Sequence, residues 1–279
     1  RIVGALSHVF KRLSTDGWEP AARAIMTTDT FPKAASATAE IDGVAVRING
    51  FAKGSGMIAP DMATMLAYVF TDAALPSVVL QPLLTAANDR SFNSITVDGD
   101  TSTSDTLLLC ATQQASHPRI TSADDPRLDG FRNALDRVMI DLAQQVVRDG
   151  EGAQKFVTID VAGAESRQAA RRIGLSIGNS PLVKTALAAG DANWGRIVMA
   201  IGKAGEKADR DLLSIAIGGI AIVARGEPVP GYDETPVAKH MKGREIAISV
   251  DLGIGSGRAT VWTCDLTHRY IDINGSYRS

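Results

Sequence analysis

The stretch "GMIAPDMATMLAYVF", residues 56–70, decides how the chain is read. It opens with glycine, passes a proline and a lone aspartate, and then sets a small residue directly before a threonine, Ala63-Thr64. From Met65 to Phe70 the run is apolar and β-prone, the pattern of a strand buried on both faces. A threonine at the mouth of such a strand has two readings. By β-propensity alone it starts the strand. Chemically, its hydroxyl can be held against the preceding carbonyl and shift that peptide to an ester. Water then hydrolyses the ester, the chain parts at 63/64, and Thr64 gains a free α-amine. An α-amine has an ordinary pKa of about 7.7–8.0. It can take the hydroxyl's proton near neutral pH, which activates threonine as a nucleophile.

The neighbouring segments give this strand a setting. Upstream, "SATAEIDGVAVRING" predicts a hairpin, because Asp42-Gly43 permits the positive φ of a tight turn. Lys53 to Gly56 reads as a loop. Downstream, Ser77 to Asn88 reads as a helix with Pro76 near its start, and Leu107 to Ala111 as a strand. Phe131, Leu135, Val138, Leu142 and Val146 recur at helical spacing, so 130–148 is a helix, ended by Asp149-Gly150-Glu151-Gly152. "KFVTIDV" is a strand, 165–173 a helix, and "NSPLVKTALAAG" a helix capped at Asn179 or Ser180. Strands are expected at 211–217, 220–225, 244–252, 258–265 and 268–273. The first residues, "RIVGALSHVFKRL", read as an amphipathic helix with Ile2, Leu6, Val9 and Leu13 on one side. Long helices between groups of strands imply α and β layers around one large core, with no linker between independent domains. Arg1 leads to the expectation of a chain that begins inside a longer protein.

Bulk properties narrow the function classes. Of 279 residues, 45% are hydrophobic and 22% charged, the balance of a globular protein. A net charge of -2 gives no basic stripe for nucleic acid and no polybasic membrane patch. The longest nearly apolar run, Leu212 to Ala224, is broken by Gly218-Gly219 and too short to span a bilayer. Cys110 and Cys264 fit neither a metal spacing nor a disulfide framework, and a cytoplasmic location is expected. His8, His117, His240 and His268 stand in no metal-binding pair, so no metal is expected. "GIGSG" at 253–257 reads as a turn. Asp98, Asp100 and Asp105 lack the spacing of a calcium loop and read as an aspartate-rich turn. Lys53 and Glu151, taken alone, are solvated loop residues.

Taken together, "AKGSGMIAPDMATMLAYVFTDA", "ARAIMTTDTFPK", "DRSFNSITVDGDTSTSDT", "RDGEGAQKF", "NSPLVKTALAAGDANWGRI" and "CDLTHRYIDINGSYRS" resemble the ornithine acetyltransferase (glutamate N-acetyltransferase) family over essentially the whole chain. The resemblance implies an α+β fold, a layered α/β/β/α sandwich of the DmpA/ornithine-acetyltransferase type that processes itself in the manner of N-terminal-nucleophile hydrolases. It implies a cut between Ala63 and Thr64, with residues 1–63 ending the upstream chain and 64–279 forming the downstream chain of one catalytic unit. The implied reaction is ping-pong. Thr64 takes acetyl from N2-acetylornithine and passes it to glutamate, in arginine biosynthesis and without a cofactor. Acetyl-CoA as a second donor is left open. The implied substrate contacts are Thr27, Lys53, Thr64, Glu151, Asn274 and Ser279, and the implied assembly is a heterotetramer of the cut chains. The family's oxyanion-hole threonine-glycine pair, in a "TGVIG"-like segment ahead of the first helix, is absent from this sequence. The terminal residue is serine where the family often has threonine. Two other classes use the same residues differently: an amide hydrolase or aminopeptidase that passes the acyl group to water, and an uncut binding protein.

Overall fold

Asp42 and Gly43 both take positive φ, 52° and 77°, and reverse the chain between β1 (Lys33–Ile41) and β2 (Val44–Lys53). The pairing is antiparallel and unbroken from Ile41↔Val44 to Lys33↔Ala52. A computed structural model describes residues 2–59, 65–102 and 104–276, and the statements below refer to them. The strand β3 (Leu66–Thr71) runs antiparallel to β2, and β4 (Thr106–Ala111) lies parallel to β3, giving the order β1-β2-β3-β4. Ahead of this sheet come α1 (Ile2–Lys11) and α2 (Trp18–Ala24). Between β3 and β4 the chain crosses through α3 (Ser77–Arg90), as parallel neighbours require.

The periodic stripe of the long helix α4 (Asp129–Arg148) does what its spacing predicts. Phe131, Leu135, Val138, Leu142 and Val146 are all buried, and the helix lies across β1 and β2. Each such side chain contributes about 1.5–3 kcal/mol of burial free energy. Gly50 allows the close approach, since a Cβ there would sit 2.9 Å from a methyl of Leu142. Ala134, Met139, Ala143 and Val147, on the flanks of this stripe, are buried too, whereas Asn133, Arg137 and Asp141 on the far face are exposed.

A second mixed sheet has the order β10-β5-β9-β6-β7-β8, built from β5 (Phe156–Ala164), β6 (Ser214–Ile217), β7 (Ile220–Ala224), β8 (Glu227–Pro228), β9 (Glu245–Asp251) and β10 (Gly257–Cys264). Alternation splits its residues. Val157, Ile159, Val161 and Val261 belong to a core with α5 (Arg167–Gly178), α6 (Pro181–Ala189) and α7 (Trp194–Gly202), while Phe156, Trp262 and Cys264 join the core around α4. The second sheet therefore contributes to two apolar layers, which joins both sheets and their helices in one layered α+β body. Ser180 caps α6 by accepting from Val183 N–H, and Gly190 ends it at φ 73°. The "GIGSG" segment is the turn between β9 and β10, with Gly253 at φ 65°.

Three expectations need correction. Residues 268–273 are not a strand but lie in α9 (His268–Ser276). Tyr270, Ile271 and Ile273 look β-prone, but the Thr267 hydroxyl accepts from Arg269 N–H and starts a helix. Ile271 stays exposed, with no sheet to cover it. Residues 211–213 precede β6 rather than belong to it. The helices α2, α7 and α8 (Glu234–Met241) were not anticipated, although Asn193 and Asp233 cap the latter two.

Candidate active site

The last rung between β2 and β3 pairs Lys53 with Leu66. Lys53 therefore stands across the ladder from a residue two positions past Thr64. Ala63, Thr64 and Ser279 lie outside the described residues. The Lys53 side chain is buried, with 6% of the residue exposed, and among the described residues its ammonium makes no hydrogen bond or ion pair. Immediately after it the chain leaves the sheet at Gly54, whose φ of 151° few side chains tolerate.

Behind Lys53 sits a sealed charge cluster that the sequence did not announce. Lys33, fully buried, donates to Asp29 Oδ1 and to Asp149 Oδ2, both at 2.6 Å. Asp29 also accepts from Gly54 N–H at 2.8 Å and Thr27 N–H at 3.1 Å. Asp149 accepts from Thr30 N–H at 2.9 Å and from the Thr30 hydroxyl. Burial by itself would raise the Asp29 carboxyl. The Gly54 N–H, the Lys33 ammonium and the Thr27 N–H outweigh it and hold Asp29 below the usual carboxylate range. Ser55 Oγ donates to Asp149 O, and Glu151 N–H donates to Ser55 O at 3.0 Å. One buried ammonium thus ties together the segments that carry Thr27, Lys53 and Glu151.

The helix α9 closes this assembly from the chain's other end. Asn274 Nδ2 donates to Glu151 Oε2 at 2.9 Å, which joins two residues singled out in the sequence. Thr267 Oγ1 donates to Gly152 O at 2.7 Å. Gly152, at φ 75°, lies so close under α9 that a Cβ would fall 2.5 Å from Tyr270 N. At Gly56 an added Cβ would meet the Glu151 carboxylate at 2.5 Å. Tyr270 OH donates to Asp98 Oδ2 at 3.3 Å. Burial, reinforced by the carboxylates of Asp98, Asp100 and Glu151, pushes its phenol up to about 12.

Thr27, Lys53, Glu151 and Asn274 are thus brought to one region by four separate parts of the chain. A cleft of about 880 Å³ lies elsewhere. Asp160, Ser249, Asp251, Arg258 and Thr260 line it, and it touches none of those four residues. Reading the sequence missed Asp29, Lys33, Asp149 and Tyr270. The only signal was the Asp29–Lys33 pair inside "DTFPK", just ahead of an extended run.

The family model described as "ArgJ family" matches residues 1–279. The chain belongs to the ArgJ family. Among its relatives is the arginine biosynthesis bifunctional protein ArgJ of Gluconobacter oxydans, 62% identical over all of this chain and 66% of that protein. The protein of the same description from Rhizobium meliloti is 58% identical, again over the whole chain and 68% of its own length. This chain spans about two thirds of the length of the curated relatives it matches. A crystal structure described as arginine biosynthesis bifunctional protein ArgJ from Bacillus halodurans matches with a TM-score of 0.72 and 40% identity, over 75% of this chain and 98% of that one. That likeness extends the ArgJ assignment from sequence to fold.

Proposed function

We propose that this ArgJ-family chain carries the nucleophile and substrate-binding residues of an acyltransferase that moves acetyl from N2-acetylornithine to glutamate in arginine biosynthesis. One observation carries the reading: Lys53, a buried cation with no hydrogen bond or ion pair among the described residues and only the Asp105 carboxylate acting on it from farther off, stands across the ladder from β3, which begins two residues past Thr64. A buried ammonium is costly without an anion, and both substrates bring an α-carboxylate. The exposed end of the site holds Glu151, a carboxylate suited to the side-chain ammonium of ornithine or to proton movement at the amine. Thr27 and Asn274 offer hydrogen-bonding groups beside it, and Ser279 is assigned the same role.

In this reading the peptide between Ala63 and Thr64 is cut, and residues 1–63 and 64–279 stay together as one catalytic unit. Thr64 Oγ then attacks the acetyl carbonyl while its α-amine takes the hydroxyl proton. Collapse of the tetrahedral intermediate breaks the amide bond, and the amine returns the proton to departing ornithine. Glutamate's free amine attacks the acetyl-threonine ester, the proton passes back to Thr64 Oγ, and N-acetylglutamate leaves. The active form is a cytoplasmic heterotetramer of the cut chains. Among the described residues no helix is long and apolar enough to cross a membrane.

The test uses the complete protein. Mass spectrometry of the wild type is expected to find the 63/64 bond cut. Incubation with acetylornithine alone is expected to add one acetyl group to the peptide beginning at Thr64, and glutamate to remove it as N-acetylglutamate. An intact bond in an active preparation refutes the reading. Release of free acetate with no N-acetylglutamate replaces it with a hydrolase.

A further inference from the structure

The aspartate-rich loop at 98–105 grips the chain on both sides of residues 60–64. On the upstream side, Asp98 Oδ2 accepts from Met57 N–H at 2.7 Å and Asp98 Oδ1 from Ile58 N–H at 3.1 Å. Met57 has φ 54°, a left-handed conformation that is uncommon for a non-glycine residue and needs holding. Ile58 O in turn accepts from Val97 N–H at 2.9 Å and from the Thr96 hydroxyl at 3.2 Å. Downstream, Asp105 Oδ1 accepts from Met65 N–H at 2.8 Å, and Thr106 N–H donates to Met65 O at 3.1 Å. Met65 is therefore held at both its amide and its carbonyl before β3 begins.

The loop has a firm base. Asn179, at the end of α5, accepts from Thr96 Oγ1 and packs under Gly99. It also reaches the rest of the site, since Asp98 accepts from Tyr270 on the helix that carries Asn274. Asp105 is half-buried. Burial raises its carboxyl, while the Met65 N–H and the nearby Lys53 ammonium pull it down.

We infer that Asp98 and Asp105 are positioning residues for Thr64: they staple the two flanks of the Ala63-Thr64 segment to one loop and so set the rates of self-cleavage and of acetyl transfer. The inference rests on the proposed use of Thr64 as a nucleophile. It assigns the two aspartates a role through the backbone they hold rather than through substrate contact. Attack on a neighbouring carbonyl depends steeply on alignment, and a displacement of about 1 Å costs on the order of a hundredfold in rate.

The experiment follows 63/64 cleavage over time in the freshly synthesised complete protein, and kcat and KM in the mature enzyme. It compares wild type with Asp105→Ala, Asp105→Asn, Asp105→Glu and Asp98→Asn. Asp105→Ala is expected to slow cleavage and lower kcat by about tenfold or more, with KM for acetylornithine within about twofold. Asp105→Asn keeps an oxygen for Met65 N–H and is expected to recover most of the loss. Asp105→Glu keeps the charge but moves the acceptor by a methylene, and is expected to do worse than asparagine. Asp98→Asn keeps only one of the two oxygens that hold Met57 N–H and Ile58 N–H, and is expected to fall between Asp105→Asn and Asp105→Ala. Wild-type cleavage in Asp105→Ala, a loss confined to KM, or glutamate outperforming asparagine overturns the inference. If Asp105→Ala does not fold, the order of asparagine and glutamate decides alone. An uncut wild type overturns the proposed function itself. A cut wild type with indifferent variants overturns only the staple.

Discussion

Replacing Lys33 with methionine tests the cluster that assembles the site. The side chains are similar in length, so the change removes a charge rather than a volume. In the wild type the ammonium lies 2.6 Å from each of two carboxylates, and all three side chains are essentially sealed from water. Removing one partner of a buried ion pair costs about 3–5 kcal/mol, because the remaining charge stays buried and uncompensated. Here two carboxylates are abandoned, but each keeps backbone N–H donors, Gly54 and Thr27 for Asp29 and Thr30 for Asp149. The expected loss therefore stays within about 3–5 kcal/mol rather than doubling it. Equilibrium urea unfolding of the complete protein at neutral pH reads the loss directly. Acid supplies a second, independent check. In the wild type Asp29 is depressed, so its contribution is present above the ordinary carboxylate pKa and is lost as pH falls through the lower folded value. In Lys33→Met the ammonium that helps hold this carboxyl down is gone while burial still raises it, so protonation costs the variant less than the wild type. The stability gap is expected to narrow as pH falls towards 4. A gap below about 1 kcal/mol at neutral pH, or one that widens in acid, refutes the claim that this ammonium compensates both carboxylates.

Other perturbations probe the surrounding pieces. Lys53→Gln is expected to raise KM for both acetylornithine and glutamate by about 10–100-fold, the value of a hydrogen bond to a charged group, and steady-state kinetics with each substrate varied will show it. Gly152→Ala combines a positive φ with a clash against Tyr270 N. It is expected to lower stability by about 1–3 kcal/mol in thermal or urea unfolding and to weaken substrate binding by displacing Asn274. Ultraviolet titration should find a phenol that ionises only near pH 12 and disappears in Tyr270→Phe. Because that pKa is raised in the folded protein, the associated stability is present below the ordinary tyrosine value and is lost as pH climbs through about 12.

What could be read in the sequence was what local physics dictates. The Asp42-Gly43 turn, the α4 stripe and the Ser180 cap each depend on residues within a few positions of one another. The misreading of 268–273 has the same origin, seen from the other side. Three β-prone side chains outweighed one capping hydroxyl, and only the missing neighbour strand decides between them. The Lys33–Asp149 pair spans 116 positions, and no periodicity connects its members. Lys53 and Glu151, bland as isolated loop residues, acquire meaning only when β2 delivers the first to a buried position and the turn after α4 delivers the second beside Asn274.

The two lysines show why burial alone does not identify function. Lys33 and Lys53 both stand on the first sheet and both are buried, yet their surroundings differ in kind. Lys33 is held between two carboxylates, so its charge is already compensated and its work is to fix backbone segments. Lys53 has no such partner among the described residues and stands where the chain turns out of the sheet. A protein tolerates a desolvated cation in that condition when an anion completes it. The fixed cluster behind and the incomplete one in front form a division of labour. Neutralising Lys33 should destabilise the scaffold, whereas neutralising Lys53 should leave the fold intact and weaken the grip on a carboxylate. Parallel unfolding and kinetic measurements on the two variants separate these outcomes, and equal destabilisation by both would show that Lys53 is structural after all.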